Sequence, residues 1–362
     1  MKKTLALILA IALMTTLLAG CAGTTVVIGE CTCPAGSHNT TPTNPTNPTD
    51  PAPVDSAVKT GIAVSTKISD SVSATGDAEG KAAYDITIAA VTVDDDGIIR
   101  SCVIDSIPAT VAFDATGTIT SDLTAAVATK NELGADYGMV AWGGAIAEWN
   151  EQVAALAVFA VGKTVEELKN GAIDESGKAP AGSDLASSAT IYLGGYVSAI
   201  EAAAASAKHL GAQAGDELVL ATMNSVKSST SATAEAAGNA QLDADITALT
   251  RKDGKVTSCI IDSVQAKIAF DATGTITTDL SAPVQTKNEL GENYGMVAWG
   301  GAIAEWNVQA ASFAAYVTGK TAAEIAGIAV NEGTKPADGS DLATSVTIAI
   351  GGFQALMAKA LQ

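Results

Sequence analysis

The chain has 362 residues, with 39 acidic and 20 basic side chains and a formal charge of −19, a balance that excludes nucleic acid and electrostatic adhesion to anionic lipid. Its only histidines are His38 and His209, which excludes a histidine-based acid–base or nucleophilic constellation. Beyond a leader, the length suits two domains of common size.

The first twenty residues read as a targeting segment. Lys2 and Lys3 supply a positive start, and Leu5 to Leu18 is apolar apart from Thr15 and Thr16. That run is short for a membrane helix, which needs about 20 apolar residues. Leu18-Ala19-Gly20-Cys21 resembles a lipobox, the bacterial signal that precedes a lipid-bearing cysteine. On this reading the mature chain begins at Cys21, held on the outer face of a membrane. The other reading is a plain secretory signal followed by a chance cysteine. Cys31 and Cys33 form a C-x-C pair, whose disulfide ring would be strained. Residues 34–54 hold six of the ten prolines and are rich in Thr and Asn. Segment 21–55 is therefore expected to be an anchor and an extended, solvated tether.

Beyond the tether the sequence repeats. Residues 113–149 and 270–306 agree at 31 of 37 positions, at a constant offset of 157 that also sets Cys102 on Cys259. The period is far above the solenoid range. We expect two tandem homologous domains, 56–212 and 213–362. All four tryptophans fall in the duplicated segment.

Within a unit, residues 85–93 (DITIAAVTV), the turn from Asp94 to Gly97 and the run IIRSCVIDSI predict strand, turn and strand. A second hairpin turns at Asp114-Ala115-Thr116-Gly117, repeated from Asp271 to Gly274. These Asp/Gly clusters lack the EF-hand spacing and read as turn chemistry. Cys102 and Cys259 read as small buried hydrophobes. The proline-free run from Asn131 to Val161 predicts helix, interrupted at Gly143-Gly144, with Trp142 and Trp149 on one face. Thr164 caps a short helix, a Gly/Pro/Ser loop spans 171–183, and an alanine-rich helix completes the unit within 184–208. The fold class predicted is α+β, a small antiparallel sheet packed against helices in each unit.

Similarity between the copies falls after the duplicated segment and rises again at GSDLASSATIYLGG (182–195) against GSDLATSVTIAIGG (339–352). Here the chain resembles the target motif of bacterial flavin transferases: Asp, two residues, Ser or Thr, a small residue, Ala, then the Thr that is esterified to the phosphate of FMN. Asp184, Ser187, Ser188, Ala189 and Thr190 fit, with Ser188 in place of the usual glycine. Asp341, Thr344, Ser345 and Thr347 fit with a second departure, Val346 in place of alanine. The order FDATG, TKNELG, YGM, EW, VGKT and then the Thr motif, together with lipobox and tether, is similar to the tandem-domain lipoproteins of Gram-positive flavin-based extracellular electron transfer. These are also called peptide-pheromone-encoding lipoproteins. The resemblance spans most of the mature chain.

The resemblance implies FMN attached covalently to Thr190 and Thr347 by a flavin transferase. Asp184 and Asp341 would cap the local turn or help hold the transferase's metal. A helix starting at Ser183 would turn its N–H groups toward the phosphate. Tyr137, Trp142 and Trp149, and equally Tyr294, Trp299 and Trp306, would cover the isoalloxazine. It further implies a lipid-anchored carrier on the extracellular face of the cell membrane, with no catalytic residue or metal of its own. Electrons would come from quinone- or NADH-linked membrane machinery and pass to ferric iron or a soluble mediator. The competing reading is a cofactor-free surface binding lipoprotein with two modules. A third is a peptide pheromone released from the leader.

Overall fold

The computed structural model describes residues 56–362; the leader, Cys21, Cys31, Cys33 and the tether lie outside the described residues. In the first repeat, β1 (Lys59–Lys67), β2 (Gly80–Val93) and β3 (Ile99–Phe113) form an antiparallel sheet in that order. In the second repeat, β4 (Glu217–Ser225), β5 (Gly238–Lys252) and β6 (Lys255–Phe270) form its twin. The fold is α+β, as the sequence predicts. β1 and β4 are additions to the expected β2–β3 and β5–β6 hairpins: they are edge strands of mixed burial, so their alternation is weak. The second hairpin expected in each repeat keeps its turn but returns through a single bridge, Phe113 to Ile119 and Phe270 to Ile276, and forms no strand.

The turns follow from their carboxylates. Asp94 accepts from the N–H groups of Asp96 and Ile98 at 3.0 and 2.8 Å and from Arg100 Nε at 2.7 Å. Asp114 accepts from Thr116 N, Thr116 Oγ1 and Thr118 N, and these bonds hold its carboxyl below the ordinary range. Asp271 repeats the arrangement. Each of these two carboxylates is spent on its own turn.

The long strands are buried on both faces, the pattern of a sheet covered on two sides. In β2, Ala82, Tyr84, Ile86 and Ile88 join a central cluster, whereas Ala89, Val91 and Val93 join a second cluster with the helices of the same repeat. The central cluster takes Ile107, Val111 and Phe113 from β3 and Leu242, Ile246, Val264, Ile268 and Phe270 from the other repeat. The sheets therefore share one core that neither repeat completes alone. The rings of Phe113 and Phe270 stack with centroids 4.1 Å apart and planes 2° apart. Beside them the contacts are reciprocal: Ala74 N donates to Gly274 O and Ala232 N to Gly117 O, both at 2.8 Å. A Cβ on Gly117 would lie 2.7 Å from Asp271 O, so the duplicated turns approach too closely for any other residue.

The helices of the first repeat are α1 (Lys130–Leu133), α2 (Met139–Gly143), α3 (Trp149–Ala160), α4 (Val165–Ala172) and α5 (Gly194–Ser206), with 3-10 turns at Gly134–Tyr137 and Leu185–Ser187. Those of the second are α6 (Lys287–Leu290), α7 (Met296–Gly300), α8 (Trp306–Val317), α9 (Ala322–Ala326) and α10 (Gly351–Ala360), with matching 3-10 turns at Gly291–Tyr294 and Leu342–Thr344. Thr129, Thr164, Thr286 and Thr321 each cap a helix in a capping box with the glutamate three residues on.

Two further expectations need correction. The stretch from Asn131 to Val161 is not one helix with one interruption. Gly138 at φ +81° and Gly144 at φ +62° both take the left-handed conformation, and they isolate α2 as a single short turn. Trp142 and Trp149 therefore sit on different helices and share no face. The alanine-rich helix, likewise, begins only at Gly194; Ser183 starts a 3-10 turn, accepting from Ala186 N at 3.2 Å.

Candidate functional site

The threonine motif lies between the 3-10 turn and α5, and its side chains divide by direction. Leu185 and Ala189 are buried in the repeat's core, while Asp184, Ser187, Ser188 and Thr190 are exposed. In the second repeat Leu342 and Val346 are buried and Asp341, Thr344, Ser345 and Thr347 are exposed or half-exposed. The sequence departure at Val346 thus concerns core packing and leaves the outward face of the motif unchanged. It also means that Ala189 makes no room at the surface. Neither aspartate caps its turn with its side chain; the preceding serines, Ser183 and Ser340, do so instead. Ser187 Oγ donates to Asp184 O at 2.6 Å, and Thr344 Oγ1 donates to Asp341 O at 2.7 Å.

One residue positions the threonine, and the sequence reading missed it. Gln152, on the first turn of α3, is fully buried. Its Oε1 accepts from Thr190 N at 2.8 Å, Ile191 N at 3.2 Å and Thr190 Oγ1 at 3.3 Å, while its Nε2 donates to Ala147 O at 2.8 Å. Gln309 does the same for Thr347, Ile348 and Ala304. A signal was available. Gln152 and Gln309 are identical in the two copies although both flanking pairs differ, Glu151 against Val308 and Val153 against Ala310.

Four residues earlier, Glu148 holds a second loop against the same helix end. Its carboxylate accepts from Met139 N at 2.8 Å and Val140 N at 3.0 Å, as Glu305 does for Met296 and Val297. That loop carries Trp142, which is 89 % exposed, and its counterpart Trp299 is 90 % exposed. The indole lies against backbone: a Cβ on Gly138 would meet Trp142 Cδ1 at 2.1 Å. The sequence MVAWGGAIAEW is identical in both copies, yet a core position differs, Leu156 against Phe313, as does the half-buried Tyr196 against the buried Phe353. A surface indole kept where buried residues have changed is not explained by packing.

The other expected aromatics are placed differently. Trp149 and Trp306 are core residues, 3 % and 6 % exposed. Trp149 Nε1 donates to Tyr196 OH at 2.9 Å, and the two rings meet edge to face. Tyr137 and Tyr294 are half-buried, and each ring faces a lysine ammonium 5.3 Å away, Lys130 or Lys287. The same ammonium groups lie 5.1 and 4.9 Å from Trp149 and Trp306. Of the six aromatics, Trp142 and Trp299 alone present an open ring face of large area.

Cys102 is half-buried and Cys259 fully so, both thiols are free, and burial pushes each up to about 12. They are unreactive apolar groups. His209 lies against Asp95 at 3.0 Å, beside the Lys59–Asp95 ion pair. A cavity of about 720 Å³ lies between the repeats. It reaches Gly195 but is lined by none of Thr190, Trp142 and Tyr137. The threonine sites are surface sites. Comparison with protein-family models, with curated proteins and with solved structures finds no match.

Proposed function

We propose that the chain is a membrane-anchored extracytoplasmic electron carrier, with FMN joined by a phosphoester to Thr190 and Thr347. One observation carries the reading. In both copies an outward threonine is held by a buried glutamine, and an open indole is held by a buried glutamate, at the same helix end. An exposed hydroxyl accepts a transferred group; a wholly packed one does not. The residues present fit such a group, because the threonine hydroxyl is accessible and its backbone is fixed by Gln152 or Gln309.

When attached, FMN supplies reversible storage of electrons. The chain supplies position. The outward serines and Thr344 leave the motif open to the modifying enzyme, and Asp184 and Asp341, free of capping duty, stand ready for its metal. Trp142 and Trp299 offer a stacking face for the ring system. An open site suits a carrier that exchanges electrons with partners on both sides: quinone- or NADH-linked machinery in the membrane, then ferric iron or a soluble mediator. The lipobox and tether support placement on the extracellular face of the membrane through Cys21.

The exposed indoles also favour a second reading, a cofactor-free surface binding lipoprotein. Coexpression with a flavin transferase separates the two. The carrier reading expects a fluorescent band that survives denaturation, two additions of FMN less water in the intact mass, and loss of one addition in each of Thr190→Val and Thr347→Val. A colourless protein of unmodified mass sinks it.

A further inference from the structure

The cavity between the repeats is asymmetric, and the asymmetry identifies its chemistry. It is bounded by β1 and α5 of the first repeat and by β6, α8 and the capped turn at Thr286 of the second. The related groove lies between β4 and α10 on one side and the capped turn at Thr129 on the other. There Lys359 of α10 reaches across. Its ammonium donates to Thr222 O at 2.7 Å and pairs with Glu132. Glu132 uses its other oxygen to hold Thr129 N.

Around the cavity every partner of that lysine has a counterpart, and the lysine does not. Glu289 stands for Glu132, and its Oε2 holds Thr286 N at 2.8 Å. Its Oε1 accepts nothing from the described residues. Val64 stands for Thr222, since each occupies the same place in its strand, opposite Ile88 and Ile246 respectively. Lys359 itself is replaced by Ala202. Ala202, Val64 and Glu289 all line the cavity. The remaining charged lining residues are Asp262 and Lys208. Asp262 is buried, and its Oδ1 accepts from Ser263 N and Asn288 N. Lys208 is exposed and pairs with Thr60 through its backbone, four residues along β1 from Val64, or about 13 Å of strand. Ala199, Ala311 and Ala314 add a small-residue apolar wall.

We propose that this cavity binds a primary alkylammonium compound, its ammonium between Glu289 and the carbonyl of Val64 and its apolar body along the alanine wall. The tethered side chain of Lys359 is the internal copy of that ligand in the related groove. The volume is that of a small-molecule site and exceeds what a lysine side chain needs, which leaves room for a ligand of more than four carbons.

The test titrates the full chain with n-hexylammonium chloride, followed by amide shifts. Saturable one-to-one binding is expected, with shifts centred on Val64, Ala202 and Glu289. n-Hexanol should bind about fivefold more weakly, the factor an exposed ion pair carries, and hexanoate not detectably. Glu289→Gln should erase the preference for the amine over the alcohol. Ala202→Lys should fill the cavity and abolish binding. Lys359→Ala should open the related groove and raise the stoichiometry to two, which keeps the proposal testable even if Ala202→Lys does not fold. Absence of saturable binding, equal affinity for amine and alcohol, or an amine preference that survives Glu289→Gln overturns it.

Discussion

Replacing Gln152 by methionine tests how the threonine is held. The side chain is fully buried and of similar volume, so the change removes hydrogen bonds rather than packing. Three bonds are well formed, at 2.8, 2.8 and 3.2 Å, to Thr190 N, Ala147 O and Ile191 N. The fourth, from Thr190 Oγ1 at 3.3 Å, comes from an exposed residue that water serves equally well. The bond to Ala147 O lies outside the threonine loop, so at about 1 kcal/mol for each of the other two the loop loses about 2 kcal/mol. Each factor of ten costs about 1.4 kcal/mol, so the local opening of the loop rises about 30-fold. Amide hydrogen exchange reads this directly, and the second repeat serves as an internal control. Exchange at Thr190 and Ile191 should accelerate by that factor while Thr347 and Ile348, held by Gln309, keep their rates. Unchanged exchange at Thr190, or equal acceleration in both repeats, refutes the assignment of the glutamine as the loop's anchor.

Two further outcomes follow from the shared core and from a buried carboxylate. Phe270→Ala deletes a fully buried ring stacked on Phe113 and should cost about 4 kcal/mol; urea unfolding should lower both repeats in one transition, and a first repeat that unfolds at its original midpoint contradicts the common core. Burial pushes the Asp262 carboxyl up to about 6. A raised carboxyl favours its neutral form in the fold, so its contribution is complete below pH ~4 and is lost as pH rises through 6. The difference of ~2 pH units corresponds to about 3 kcal/mol. Asp262→Asn, which keeps an acceptor for the N–H groups of Ser263 and Asn288, should gain stability relative to the parent chain between pH 4 and 7.5 by up to that amount. Parallel pH profiles for the two proteins would reject this.

The fold class, the turns and the capped short helix were legible from local pattern. Asp–Gly turns, Thr-x-x-Glu caps and a Ser/Thr cluster ahead of an alanine run are local statements about backbone chemistry. The misplaced features depend on distant partners. Trp142 and Trp149 sit at helical spacing, but the left-handed Gly144 between them breaks the geometry that spacing presumes. The buried valine at 346 differs from Ala189 because the core of the second repeat differs, which a motif read as a string does not reveal. Gln152 acts 38 residues away from Thr190, and its one trace in the sequence is its identity with Gln309 between flanking residues that differ. The asymmetry between Ala202 and Lys359 becomes meaningful only once the strands and turns that face them are known.

The face-to-face stacking of the sheets has the geometry of a self-complementary dimer contact, in which each half offers the same patch to its twin. A single repeat made alone would leave one whole sheet face, with its phenylalanine, open to water. It should pair with a second identical copy. Gene fusion would turn such a pair into one chain and release the halves from strict symmetry, so that one groove acquired a lysine of its own and the other stayed open.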